Sequence, residues 1–355
     1  MLRMYVARAY PGRKILAIQE LAPDTGATRG STTKVAGYGQ PMRIVLDSET
    51  GAPLELVWRV TSSNDFGHDR RSDRAALTIQ EFDDFRQMPR HVQALDLGVV
   101  TAEGDLHSIH DSDELYLVTT YAPGTVYAED LRRIATTGVA GASDLARLTA
   151  LATYLDALHT PLGDPTVRYQ RAIRDLVGSG EGIFGIVDGY PADVPGASGT
   201  RLRGIEEACA TWRWRLRGHG ARLVRSHGDF HPFNIVFTGD SELTLLDASR
   251  GACGDPADDV TALAVNFVLF ALGAPDAWPE GLGVLWHRWW AHAQRSDPGL
   301  LETAPPFFAW RALVVANPRF YPNLDGRQRD RLLSLAEEYL EELTVDPHRA
   351  EELFT

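Results

Sequence analysis

The reading of this chain turns on Arg225-Ser226-His227-Gly228-Asp229-Phe230-His231-Pro232-Phe233-Asn234-Ile235-Val236-Phe237, taken with Leu245-Leu246-Asp247-Ala248-Ser249 a little further on. Asp229 precedes Asn234 by five positions and Asp247 by eighteen. Between Asn234 and Asp247 lie two short apolar runs, 235–237 and 243–246, separated by Thr238-Gly239-Asp240-Ser241. That pattern predicts a β-hairpin with a Gly-containing turn, which returns Asp247 to the side of Asn234. One amide oxygen and one carboxylate are the donors that a hard divalent cation such as Mg²⁺ prefers, so no Cys or His cluster is required. Gly, Asp and Asn favour turns in any loop, and each residue alone has that plain explanation. The ordered set, with both spacings intact, is what points to chemistry.

Transfer of a γ-phosphoryl group needs positioned Mg²⁺ and an aligned hydroxyl, with little covalent work by the protein. In a kinase catalytic loop, Asp-x-x-x-x-Asn supplies the residue that orients the acceptor hydroxyl and one that holds a metal ion. The segment resembles the aminoglycoside phosphotransferase and choline kinase family, whose catalytic loop reads His-Gly-Asp-x-His-Pro-x-Asn. A Gly-Asp-Pro-x-x-Asp stretch follows in that family, and this chain has Gly254-Asp255-Pro256-Ala257-Asp258-Asp259. The resemblance implies Asp229 as catalytic base, Asn234 and Asp247 as Mg²⁺ ligands, and His227 and Asp259 as supports of the loop. It also implies ATP or GTP as phosphate donor and an α+β, two-lobed protein-kinase-like fold. Residues 1–119 would form an N-terminal nucleotide-binding lobe and 120–355 a larger, mainly helical catalytic and acceptor-binding lobe.

Composition suits an enzyme of this kind. With 355 residues, 44% of them apolar, the chain can bury a substantial core as one large unit or two lobes. Cys209 and Cys253 make no disulfide framework and no Cys-x-x-Cys spacing, so a reducing, cytoplasmic setting is expected. The first residues lack the apolar core of a signal peptide, and the longest apolar stretch, 260–272, is too short to span a bilayer and reads as a buried helix. A net charge of −13 argues against a nucleic-acid partner and favours cationic small molecules. Between 240 and 259 the acids Asp240, Glu242, Asp247, Asp255, Asp258 and Asp259 face Arg250 alone. The chain has only two lysines, Lys14 and Lys34, against 33 arginines.

Strand patterns dominate the first 120 residues, at 14–21, 41–47, 54–61, 92–100 and 115–121, where they predict one small antiparallel sheet. Apolar residues at 75, 76, 79, 82 and 85 predict a helix over 74–85, closed by Pro89. Beyond residue 125 helical spacing takes over, at 144–159, 202–217, 259–272 and 327–343.

Several nucleotide contacts are placed on that plan. The loop from Gly26 to Gly39 is rich in Gly and hydroxyls, and Gly30 and Ser31 suit backbone amides that close over phosphates. Where the family carries a strand lysine the chain offers Arg59, whose fork is not equivalent to an ammonium. A helix carboxylate should pair with it. Asp73 and Glu81 compete, and Asp73 is preferred although it also suits a helix N-cap. By resemblance to the inter-lobe linker, Thr120, Tyr121 and Ala122 read the adenine edge.

By the same resemblance, the expected acceptor is a small-molecule hydroxyl compound, an aminoglycoside or amino sugar first among them, with His231, Glu181 and Asp188 as candidate contacts. Trp212, Trp214, Trp286, Trp289, Trp290, Phe307, Phe308 and Trp310 read as packing rather than as a nucleic-acid surface. His159 reads as a structural helix-end residue. Two other classes remain open: a nucleotide-binding pseudokinase, suggested by the missing lysine, and a metal-dependent hydrolase using His227, Asp229 and His231.

Overall fold

The computed structural model describes residues 1–21, 41–48, 51–85, 87–163, 165–248 and 252–354. The chain divides into two compact units, Met1–Thr119 and Thr120–Thr355. The α+β class expected from the sequence holds, with short antiparallel sheets and a helix-rich second part.

In the first unit, helix α1 (Leu2–Ala9) precedes strands β1 (Ile15–Glu20), β2 (Met42–Leu46) and β3 (Leu54–Trp58), which pair antiparallel in that order. Ile44 sits opposite Ile18 on one side and Leu56 on the other. Ile44 and Leu46, two residues apart, are fully buried, as the period-two geometry of a strand requires. Tyr5 and Val6 of α1 close this small core, the Tyr5 ring lying 5.1 Å from that of Trp58. Helix α2 (Arg71–Phe85) follows, then a separate hairpin of β4 (Gly98–Val100) and β5 (Leu106–Ser108).

The single sheet predicted for this part is therefore two. Of the 92–100 pattern only Gly98–Val100 is a strand, and 115–121 forms none. Leu115, Tyr116, Leu117, Val118 and Tyr121 are exposed. β-branched and aromatic residues favour a strand only where a neighbouring ladder pairs their backbone, and the described residues offer this stretch none.

The second unit begins with β6 (Thr125–Val126), α3 (Tyr127–Thr137), α4 (Ala142–Leu158), α5 (Pro165–Gly178), α6 (Ile183–Asp188) and α7 (Gly199–Leu216). The hairpin β7 (Ile235–Phe237) and β8 (Leu243–Leu245) joins β6 in a three-stranded sheet. Helices α8 (Pro256–Leu272), α9 (Leu282–Ser296), α10 (Leu300–Thr303), α11 (Pro305–Ala316) and α12 (Gly326–Glu342) complete it.

Helix α8 is apolar almost all round and is buried along nearly its whole length, which makes it the centre of the core. It starts three residues earlier than its apolar pattern, because Asp255 caps it by accepting from the Ala257 N–H at 2.9 Å and Pro256 occupies the first position. Trp286, Trp289 and Trp290 of α9 are buried against it, and the Trp289 indole donates to the Val260 carbonyl at 3.0 Å. Phe307, Phe308 and Trp310 of α11 are buried too. The aromatic clusters are thus packing, apart from Trp214, which is exposed and flanked by Arg213 and Arg217 over its ring. No described helix is long and apolar enough to cross a membrane.

Candidate active site

The loop from His227 to Asn234 is held from behind by α8. Asp259, fully buried in the first turn of that helix, accepts the backbone N–H groups of His227 at 2.9 Å and Gly228 at 2.8 Å. The His159 imidazole, at the end of α4, lies 3.0 Å from the same carboxylate. Gly228 takes φ +80, a left-handed conformation that costs glycine little, and the chain turns sharply there.

His227 completes the turn. Its Nδ1 accepts from the Asp229 N–H at 3.3 Å, which leaves Nε2 as the donor to the Leu246 carbonyl at 2.9 Å. Both ring nitrogens are therefore engaged, and His231 Nδ1 likewise accepts from the Phe233 N–H at 3.2 Å. The ligand trio His227, Asp229 and His231 considered for a metal-dependent hydrolase does not form: His227 spends its lone pair on the backbone.

Asp229, mostly buried, presents its carboxylate to several donors. Arg311 Nη1 donates to Oδ1 at 2.8 Å. Asn234 Nδ2 donates to Oδ2 and to the Asp229 carbonyl, both at 3.2 Å, and His231 Nε2 lies 3.3 Å from Oδ2. Because both partners of the Asn234 amide can only accept, its NH₂ must face Asp229 and its carbonyl oxygen must face away.

The hairpin brings Asp247 round as its register dictates. Ile235 pairs with Leu245, and the Leu246 N–H donates to the Asn234 carbonyl at 2.8 Å, so Asp247 follows immediately beside Asn234. Asp247 is exposed and has φ +41, an uncommon conformation for a residue with a side chain that costs about 1 kcal/mol. An outward amide oxygen and an adjacent carboxylate are a donor set suited to Mg²⁺. Asn234 and Asp247 are the residues that would hold such an ion.

Arg311, on α11, lies outside the sequence motif. It is buried, and its Nη2 donates to the Asp258 carboxylate at 2.6 Å and to the Gly228 carbonyl at 3.1 Å. Burial alone would lower its pKa, but the charges of Asp258 and Asp229 outweigh that and hold it above the ordinary value. Tyr321 lies near enough for Asp229 to affect it: burial, then the Asp229 charge, raise its phenol, while Arg311 works the other way. One sequence signal was available. In Pro-Pro-Phe-Phe-Ala-Trp-Arg-Ala-Leu-Val-Val-Ala, Arg311 is the one charged residue of an otherwise apolar helix, and a charge at a buried position implies a partner.

Asp255 anchors a second buried network. Arg222 donates to both its oxygens at 2.8 and 2.9 Å and to Asp297 at 2.6 Å, and the Tyr169 hydroxyl donates to it at 2.7 Å. Burial and the neighbouring Asp255 charge push the Tyr169 phenol far above its ordinary value.

The remaining sequence candidates lie on other segments of the chain. In the first unit Arg59 pairs with Glu81 of α2, not with the preferred Asp73. Asp73 lies in the first turn of α2 and accepts from the Arg70 N–H at 2.9 Å, so it serves the helix start. Glu81 lies two turns further along, where the helix carries it to Arg59. Gly30 and Ser31 lie outside the described residues. Thr120 and Tyr121 are exposed and Ala122 is half-buried, outside any strand. Glu181 precedes α6, Asp188 is its last residue, and both are exposed. The Glu181 carbonyl accepts from the Trp310 indole at 2.9 Å. Asp188 is close enough to Glu206 that its charge, added to burial, raises the Glu206 carboxyl.

No protein-family model and no curated protein matches the chain. Among solved structures it is similar to a choline kinase from Streptococcus pneumoniae, at 12% identity over 96% of this chain and 98% of that one, with a TM-score of 0.37. It is similar to an ethanolamine kinase from Plasmodium vivax at 10% identity, over 96% and 86% of the two chains, TM-score 0.36. A glucosamine kinase gives 18% identity over 99% and 81%, TM-score 0.33.

Proposed function

We propose that the chain is a small-molecule kinase that transfers the γ-phosphoryl group of ATP or GTP to a hydroxyl of an aminoglycoside, amino sugar or similar metabolite. The observation that carries this reading is the pairing of Asp229 with Asn234. The contact of the Asn234 amide N–H groups with Asp229 leaves its amide oxygen free of that carboxylate, which supports Asp229 as the hydroxyl-aligning group and Asn234 with Asp247 as the cation-holding pair. Bound there, Mg²⁺ would neutralise charge on the transferred group.

In the reaction, the acceptor hydroxyl approaches Asp229, which orients its lone pair and takes up its proton. The new bond joins that oxygen to the γ-phosphorus, and the bond from the γ-phosphorus to the bridging oxygen breaks, leaving the nucleoside diphosphate. Asp259 and His227 keep the loop backbone rigid during the transfer. Arg59 of the first unit, oriented by Glu81, is the proposed contact for the donor phosphates, and Thr120, Tyr121 and Ala122, at the start of the second, are the proposed adenine contacts. The net negative charge favours cationic acceptors.

A panel of amino sugars, aminoglycosides and amino alcohols, incubated with Mg²⁺ and ATP or GTP, tests this reading by product mass. One compound should gain a phosphoryl group. Asp229→Asn should reduce the rate by about 10²- to 10⁴-fold. Nucleotide binding without a phosphorylated product on any compound would favour the pseudokinase reading instead.

A further inference from the structure

We infer that Arg311 is the positioning residue of the Asp229 carboxylate, a clamp that holds the loop's aspartate in one orientation from a helix far along the chain. This rests on the phosphotransfer reading above and extends it to a residue outside the loop motif.

Three observations carry it. The first is contact geometry. One Arg311 guanidinium spans the Asp229 carboxylate at 2.8 Å, the Gly228 carbonyl at 3.1 Å and the Asp258 carboxylate at 2.6 Å, so it grips the side chain and the backbone of the same turn together. The second is burial. Arg311 is 5% exposed and Asp229 8%, and an arginine is withdrawn from water only where its partners hold it in place. The third is the orientation of the guanidinium itself. It stacks over the Trp310 ring, 3.9 Å from the centroid, and that indole is fixed by donating to the Glu181 carbonyl.

Asp229 is therefore gripped from two directions, with Arg311 on Oδ1 and Asn234 on Oδ2. Rotation about the side chain would break one contact or the other. A planar fork is needed because two carboxylates and a carbonyl must be met at fixed angles, which an ammonium cannot do. Among the described residues, the charged and titratable groups near Asp229 include Arg311, Asp258, His231 and Tyr321. Arg311 does not touch the reacting atoms; it acts through Asp229.

A double-mutant cycle on the full chain tests the inference, using hydrolysis of Mg·ATP with water as the acceptor. The proteins are wild type, Arg311→Gln, Arg311→Lys, Asp229→Asn and the double variant Arg311→Gln with Asp229→Asn. Arg311→Gln should slow turnover on the order of 10²-fold, as expected for a displaced catalytic group. Arg311→Lys, which keeps the charge and provides a second variant should Arg311→Gln fold poorly, should also be slowed. In the Asp229→Asn background, Arg311→Gln should cost nothing further. Arg311→Gln should lower kcat and leave the KM for Mg·ATP in place, because Arg311 acts on the aspartate and not on the nucleotide. If Arg311→Gln slows turnover equally in both backgrounds, or raises the KM for Mg·ATP in step with the loss of kcat, Arg311 is merely structural and the inference is overturned. Urea denaturation of the same proteins measures the contact independently of turnover. Non-additive losses support the clamp, and additive losses overturn it. A wild type that neither hydrolyses Mg·ATP nor phosphorylates any compound of the acceptor panel, while the denaturation cycle is non-additive, overturns the kinase reading and leaves the clamp standing.

Discussion

At the scale of single residues, Asp259 shows how one carboxylate can fix a loop. It accepts two adjacent backbone N–H groups, from His227 and Gly228, and lies against the His159 imidazole while wholly out of water. Asp259→Ala would leave both N–H groups buried without a partner, and charged hydrogen bonds of this kind are worth roughly 1.5–3 kcal/mol each. A loss of about 3 kcal/mol in urea denaturation is expected, together with loss of phosphotransfer. His159→Ala should cost clearly less, since Asp259 keeps its two backbone donors. The spacing of the motif made Asp229, Asn234 and Asp247 legible as neighbours, because five residues of turn and one short hairpin are local geometry. Arg311 was not legible in that way. It lies 82 positions from Asp229, and nothing in the spacing of the loop points to it.

At the scale of elements, apolar periodicity located α2, α4, α7, α8 and α12 but not α3, α5, α9 or α11, and for α8 a cap decided where the helix begins. Helix α8 starts at Pro256 because Asp255 caps it, and that same Asp255 is held by Arg222 and Tyr169. Patterns read less well where a strand needs a partner: 115–121 alternates like a strand, yet forms no ladder among the described residues. Helix α7 carries a testable electrostatic cost. Glu206 has its carboxyl raised by burial and by Asp188, so the folded state binds its proton more tightly than the unfolded chain does. Its contribution is therefore fully present below the unfolded pKa and is lost as pH rises through the raised folded value. Glu206→Gln should remove that dependence, leaving the variant more stable relative to wild type at pH 7 than at pH 4. Thermal melts at the two pH values check this. Equal differences at both would show that the carboxyl is not perturbed.

At the scale of the whole molecule, the chain is two units with separate cores. The first is built on Tyr5, Val6, Ile44, Leu46 and Leu56, and the second on a continuous cluster that runs from Tyr127 through the α8 and α9 aromatics to Leu353. A fragment of residues 120–355 should fold alone and unfold cooperatively in urea, because its core is complete within itself. A fragment of 1–119 should unfold at lower urea, since a small core leaves little margin over chain entropy. Far-UV circular dichroism on both fragments is the check, and a 120–355 fragment without a sigmoidal transition would contradict it.

What the sequence by itself determined is the local chemistry: a turn at Gly228, a hairpin that returns Asp247 to Asn234, and a buried apolar helix after Asp255. Each depends on residues close together in the chain, where backbone preference and periodicity act directly. Only the tertiary structure decided which charges meet. With 33 arginines and 48 acids in the chain, pairing is a choice among many chemically equivalent partners. Helix packing made that choice: it gave Arg59 to Glu81 rather than Asp73, and brought Arg311 behind Asp229. A buried charge is held where packing leaves an opposite one within reach, and that reach is set by the whole fold.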